Sequence, residues 1–168
     1  METNPAGNEK RPAELSKRTW KDYIGWAGFI VTAGILIQQI YIHADGLWYF
    51  CFGEGRQYLG ALGDPQYSLL YHITTVFDFL TVTFFTLYPL VILVLLLLRK
   101  KIVPKLLVVF AAVALFTNIA TAILYSLLSA EYEKAYYIDF ISVVYLAIDI
   151  ALVLFYAKSR RFKALFVK

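Results

Sequence analysis

Two polar side chains lie near the middle of apolar runs of this chain, where their chemistry differs from that in water. Asp149 is near the middle of the run 138–157, and Asn118 is near the middle of the run 106–128. A charge at bilayer depth costs on the order of 2.5–3.5 kcal/mol on insertion scales, so such residues usually face a bundle interior or a wet cavity. Because a short connection makes the two runs antiparallel neighbours, we predict a hydrogen bond between Asn118 and Asp149.

A second polar group is predicted at the outer mouth of the helices. Its members are the polar side chains nearest to the outer ends of the runs: Gln38, Gln39, His43, His72, Asp78 and Asp139. Carboxylates, imidazoles and amides gathered at one depth could bind a substrate, a lipid headgroup or a proton.

Three interpretations of these polar residues compete. They act as hydrogen-bonding glue between helices, worth about 0.6 kcal/mol each on average, or they line a polar cleft, or His43, His72, Asp78 and Asp139 bind a metal. The ligand types permit a metal, but no close spacing of histidines supports one. The chain also lacks a Gly-x-Ser-x-Gly elbow, a Walker loop and a dinucleotide fingerprint. We therefore predict no catalytic residue, no cofactor and no metal.

The elements that must position these residues are membrane-spanning helices. The chain has 168 residues, of which 60% are hydrophobic, above the roughly 45–50% of soluble domains. Four runs reach the span length of about 20 residues, and they are 23–42, 73–98, 106–128 and 138–157. The prediction is an all-α, integral membrane four-helix bundle over residues 23–157, in contact with the lipid bilayer.

The basic residues predict the orientation of this bundle. Five Lys and Arg residues lie in the polar tail 1–22, four lie at 99–105, and five lie in the basic amphipathic tail 158–168. The other side carries only Arg56, in the outer loop 43–72, and Lys134. Basic residues mark cytoplasmic segments, so both termini are predicted in the cytoplasm. The tail 158–168 is expected to lie on the anionic leaflet. This placement of charge predicts no nucleic-acid partner.

Three segments carry a resemblance to a known family. They are IGW at 24–26, RKKIVPK at 99–105 and YAKSRRFKALFV at 156–167. With four spans in a chain of this length, they resemble the bacterial membrane proteins grouped as domain of unknown function 2569, from about residue 23 onward. The resemblance implies the fold and a bacterial inner-membrane location, and it implies no activity.

Three functions are compatible with these features. The leading prediction is a non-enzymatic accessory subunit that binds another membrane protein in a larger assembly. The alternative is a small transporter or proton-coupled membrane protein in which Asp149 titrates. The third is an intramembrane enzyme that acts on a lipid, with Asp and His side chains as acid and base.

Overall fold

The chain folds into helices that run back and forth beside one another. The computed structural model describes residues 20–131 and 140–166, with side chains from 25–131 and 143–166. The helices are α1 Trp20–Phe52, α2 Arg56–Gly60, α3 Leu69–Leu97, α4 Val103–Glu131, α5 Phe140–Lys158 and α6 Arg160–Ala164. Every regular element within these ranges is a helix. The predicted all-α class is therefore confirmed for the described part of the chain.

Three of the helices are long and apolar enough to cross a membrane. They are Gly25–Phe52, Leu69–Leu97 and Val103–Glu131, and α5 adds a further apolar helix of 19 residues. Large apolar side chains stay exposed along these helices, among them Ile30 at 67% and Leu80 at 59%. Such side chains are stable where the surrounding solvent is itself apolar. The chain is thus an integral membrane protein whose helices contact the lipid bilayer.

The first helix is longer than the sequence pattern predicts. The outer loop was expected over 43–72, but α1 continues through its first ten residues and ends at Phe52. No proline interrupts this stretch, and Gly46 is accommodated because Val82 of α3 packs directly against it. The first effective stop is Gly53, whose N–H closes the last turn on the Tyr49 carbonyl oxygen at 3.0 Å.

The connection that remains between α1 and α3 is made of turns. Gly63 has a φ of +89°, in the left-handed region that glycine tolerates best. Asp64 Oδ1 accepts a hydrogen bond from the Gln66 N–H at 2.9 Å, so the segment Asp64-Pro65-Gln66 forms a turn. Ser68 caps α3 by accepting from the Tyr71 N–H at 3.1 Å. That cap starts α3 at Leu69, four residues before the predicted start of the second span.

The turn between α3 and α4 begins with a left-handed residue that is not glycine and that ends α3. Arg99 has a φ of 51°. The N–H groups of Arg99 and Lys100 bond the carbonyl oxygens of Leu96 and Leu95 at 2.9 and 3.0 Å, which is the Schellman pattern of a helix end. The Arg99 guanidinium lies 4.8 Å from the ring centroid of Trp26 on α1. This cation–π contact offsets the backbone cost of the left-handed arginine.

The buried apolar core occupies one half of the bundle, here called the closed half. It is formed by the beginning of α1, the end of α3, the beginning of α4, the end of α5 and the segment 160–166. Its buried members are Leu36, Phe85, Ile92, Leu96, Val103, Leu107, Phe110, Ala111, Tyr156, Phe162 and Phe166. α1 and α5 meet in this half, where the hydroxyls of Thr32 and Tyr156 are 3.1 Å apart. The opposite half, which holds the end of α1 and the beginning of α3, is called the open half.

The basic segment after α5 packs on the protein. Ser159 caps α6 by accepting from the Phe162 N–H at 3.3 Å, and Phe162 and Phe166 are 0% and 4% exposed. The prediction that this tail lies on the membrane surface did not anticipate this packing. Its apolar side chains recur four residues apart, so one face of the short helix turns into the closed half while Arg160 stays exposed.

Candidate functional site

A large cavity lies in the open half, between α1, α3, α4 and α5. Its volume is about 840 Å³, which is within the range of ligand-binding pockets. Polar and titratable side chains line it from these four helices and, in the case of Tyr58, from α2: Gln38, Gln39, His43, Tyr49, Tyr58, Tyr71, Thr74, Thr75, Asp78, Thr81, Thr117, Asn118, Thr121, Tyr125, Tyr145 and Asp149. The cavity gathers residues that the sequence pattern had assigned to two separate depths.

The hydrogen bond predicted from span depth is present in this cavity. Asn118 Nδ2 on α4 donates to Asp149 Oδ2 on α5 at 2.5 Å. The two helices pack along one another in antiparallel order, so two residues near their middles meet. The bond satisfies one carboxyl oxygen of Asp149 and leaves the other without a protein partner among the described residues.

A second carboxyl pair lines the same cavity and was missed by sequence reasoning. The Tyr125 hydroxyl on α4 donates to Asp78 Oδ2 on α3 at 2.6 Å. Tyr125 follows Asn118 by seven residues, with Thr121 between them, and this spacing puts all three on one helix face. That periodicity of polar side chains was the signal that could have identified Tyr125.

The side chains contributed by α1 differ in how they are held. His43 Nδ1 lies 2.9 Å from the Gln39 carbonyl oxygen, and its ring centroid is 5.1 Å from that of Phe85. Gln38 is exposed and Gln39 is half-buried, and both line the cavity. The amides and the imidazole therefore supply hydrogen-bonding groups on the side of the cavity opposite Asn118.

Two other predicted residues do not join this group. His72 is absent from the lining, and its Nε2 lies 3.2 Å from the Asp64 carbonyl oxygen in the preceding turn. Asp139 lies outside the described residues. Across 20–131 and 140–166, no three His, Cys, Asp or Glu side chains are grouped closely enough to hold a metal ion. The alternative metal set of His43, His72, Asp78 and Asp139 is thus not assembled by its described members.

The electrostatic character of the cavity is acidic. Asp78 and Asp149 are its carboxyl groups, and no lysine or arginine is among the side chains that line it. Both carboxyls have neutral hydrogen-bond donors and no ion pair with a described residue. A carboxylate in such a low-dielectric region is costly without a cationic partner. The cavity therefore offers two carboxyl groups without a described cationic partner.

One further polar side chain, Thr75, lines the cavity without a hydrogen-bond partner among the described residues. Thr75 is 8% exposed and lines the cavity, and its hydroxyl makes no hydrogen bond to another described residue. The neighbouring Thr74 hydroxyl, in contrast, donates to the Leu70 carbonyl oxygen at 2.9 Å. The Thr75 hydroxyl is therefore a donor and acceptor on the cavity lining that no described residue bonds.

Comparisons with known proteins identify a family and no closer relative. No curated protein and no solved structure matches the chain significantly. A family model described as protein of unknown function (DUF2569) matches residues 24–167, which include all four helices around the cavity. The resemblance noted from the sequence is confirmed by this match, and the chain belongs to the DUF2569 family of proteins of unknown function.

Proposed function

We propose that this protein is a small membrane carrier that takes a solute into the cavity and couples its binding to a change in the protonation state of Asp149. The observation that carries the proposal is the convergence of two carboxyl–donor pairs, Asn118–Asp149 and Tyr125–Asp78, on one cavity. Ionisable residues at membrane depth are rare and usually belong to a substrate or proton pathway.

The space beside these pairs favours a binding role over helix glue. Hydrogen bonds between helices need only two side chains in contact, and both pairs satisfy that need. They also border about 840 Å³ of unfilled volume. Small-molecule sites are concave and carry a few convergent polar groups, so an open volume of this size beside two carboxyls supports a ligand site.

The topology proposed for the carrier has four spans and both termini in the cytoplasm of a bacterial inner membrane. The 19 residues of α5 extend about 28 Å at 1.5 Å per residue, close to the roughly 30 Å hydrocarbon thickness. The excess of Lys and Arg at the closed half supports a cytoplasmic orientation for that half. The open half would then face the opposite side.

The single cysteine of the chain provides a direct test of orientation. Cys51 is exposed at the end of α1 in the open half. A membrane-impermeant maleimide is expected to label Cys51 in intact spheroplasts. In a Cys51→Ser background, Lys158→Cys in the closed half is expected to react only after permeabilisation. Labelling of Lys158→Cys in intact spheroplasts would contradict the proposed orientation.

Solvent access to the cavity is the first test of the carrier itself. In the Cys51→Ser background, Thr121→Cys places a thiol on the cavity lining, whereas Leu87→Cys places one on the exposed apolar surface of α3. A water-soluble methanethiosulfonate is expected to modify Thr121→Cys at least tenfold faster, and from either face of the membrane. Equal rates at the two positions would mean that the cavity is dry and that the carboxyl pairs are structural.

The test of coupling is Asp149→Asn. Asparagine has nearly the same shape and can still accept the Asn118 hydrogen bond, so the fold is expected to persist. It cannot release a proton, so proton-coupled activity is expected to be lost. Normal activity in Asp149→Asn, with an unchanged elution profile in detergent, would remove Asp149 from the mechanism.

The two other predicted functions have less support from the site. An accessory role with another membrane protein stays a prediction, tested by affinity purification of a tagged copy from native membranes and mass spectrometry. A lipid-acting enzyme would need His and Asp side chains together. His43 and Asp78 share the cavity, but His72 bonds the preceding turn instead.

A further inference from the structure

The aromatic lining of the cavity identifies a ligand class for the proposed carrier. The rings of Tyr49, Phe50, Tyr58, Tyr71, Phe85 and Tyr145 line it together with the two carboxyls. We propose that the cavity binds an organic cation, namely an ammonium or phosphonium bearing apolar or aromatic groups. This inference rests on the proposed binding function and specifies its ligand.

Charge favours a cation over an anion or a neutral solute. Asp78 and Asp149 each keep one oxygen that no described side chain bonds, since Tyr125 and Asn118 both donate to an Oδ2 atom. Among the lining residues there is no lysine or arginine, and His43 is the one imidazole. An anion would face two acidic groups, whereas a cation supplies the partner that a carboxylate in a low-dielectric region needs.

Size and ring chemistry favour an organic cation over a metal ion. A cavity of about 840 Å³ is much larger than a single ion requires, and the described residues bring no three acidic, His or Cys side chains together. The faces of tyrosine and phenylalanine attract cations within about 6 Å, with a contribution of about 2 kcal/mol when the cation is desolvated. Rings and carboxyls together match a bulky cation with apolar substituents.

Proton exchange would keep the charge in the cavity balanced. With the cavity empty, a proton on the Asp149 carboxyl keeps that group neutral. When the cation enters, the O–H bond breaks, the proton leaves to water, and the electron pair stays on the carboxylate. One positive charge replaces another, so the net charge of the cavity does not change. The titratable groups that share the cavity with Asp149 are Asp78, His43 and the tyrosines that line it.

The inference is tested with three probes of similar shape and different charge. These are tetraphenylphosphonium, tetraphenylborate and neutral triphenylphosphine oxide, added to the full-length protein purified in detergent. Equilibrium dialysis is expected to give at least tenfold tighter binding of the cation than of either other probe. A weakly buffered solution is expected to record release of about one proton per bound tetraphenylphosphonium.

Matched variants separate the site from general adsorption. Asp149→Asn and Asp78→Asn are expected to weaken tetraphenylphosphonium binding at least tenfold. Asp45→Asn removes an exposed carboxylate of α1 that does not line the cavity, and it is expected to leave binding unchanged. The elution profile and thermal midpoint of each variant in detergent verify that it is folded.

The possible failures are distinguishable. Equal binding of the neutral probe and the cation, insensitive to Asp149→Asn, would overturn the cation inference. Failure of tetraphenylphosphonium to bind would overturn it as well. In either case, rapid modification of Thr121→Cys would leave the proposed solute cavity standing. Slow modification of Thr121→Cys together with absent binding would overturn both proposals.

Discussion

Replacing Phe162 by alanine should detach the segment 160–166 from the closed half. The Phe162 side chain is 0% exposed, and its ring centroid lies 5.4 Å from that of Phe155 and 5.6 Å from that of Tyr156. Truncation of a buried phenylalanine costs about 3–5 kcal/mol. α6 has only five residues, too few for a helix that is stable on its own. The loss should therefore fall on the docking of this segment.

Limited proteolysis measures that docking directly. A loss of about 3 kcal/mol corresponds to more than a hundredfold change in an equilibrium constant. Trypsin cleavage after Arg160, Arg161 and Lys163, followed by mass spectrometry of the released peptides, should accelerate by roughly that factor. This holds where the segment opens and closes faster than it is cut.

A matched substitution shows whether the effect belongs to burial. Phe116 lies on α4 and is 65% exposed, so Phe116→Ala removes the same ring from a position without such packing. It should leave cleavage of the C-terminal segment at the wild-type rate. If Phe162→Ala is also cleaved at the wild-type rate, the segment is not held by its aromatic side chains and the reasoning is refuted.

Two further predictions concern the contacts between α1 and α5. Gly28→Ala should lower the thermal midpoint in detergent, since its new methyl carbon would lie 2.9 Å from Phe155 Cζ and overpacking costs about 1–3 kcal/mol. Gly34→Ala, with no atom within 4 Å, is the control, and an equal loss there would contradict the role of close packing. Tyr156→Phe should cost roughly 0.6 kcal/mol. The Thr32 hydroxyl donates to the Gly28 carbonyl oxygen at 2.7 Å, so Tyr156 must be the donor between them. A double-mutant cycle with Thr32→Val should reveal this coupling, and additive effects would exclude it.

Part of the candidate site was predictable because membrane helices convert sequence position into depth. Asn118 and Asp149 each lie near the middle of an apolar run, and a short connection makes their helices neighbours. Depth and adjacency together were enough to predict their hydrogen bond, which the structure contains. No knowledge of the rotation of either helix was needed.

The rest of the site depended on where helices begin and how they rotate. The sequence pattern started the second span at residue 73, whereas the Ser68 cap starts α3 at Leu69. Four residues correspond to about 6 Å of helix, so Asp78 lies farther from the start of its helix than predicted, where its carboxyl accepts a hydrogen bond from Tyr125. The prediction therefore missed the tyrosines and threonines of the cavity lining. Their hydroxyls are so common in apolar runs that a single one does not indicate a site.

The end of α1 illustrates a different limit. Hydropathy alone placed a loop after residue 42 because polar and aromatic residues begin there. Backbone hydrogen bonds continue the helix to Phe52, and its added turns carry Tyr49 and Phe50 into the cavity lining. The helix boundary was set by the first effective breaker, Gly53, and not by the loss of hydrophobicity.

The division of the bundle into a closed half and an open half allows a small rotation at one end to produce a larger displacement at the other. Two pairs of helices pack mainly within each pair, namely α1 with α3 and α4 with α5. The core of the closed half joins the two pairs and is the point about which they would rotate. The 29 residues of α3 or α4 extend about 43 Å. A rotation of about 5° at the closed half would shift the far end of such a helix by roughly 4 Å. The same rotation would move Ile92, which lies five residues from the end of α3, by less than about 1 Å.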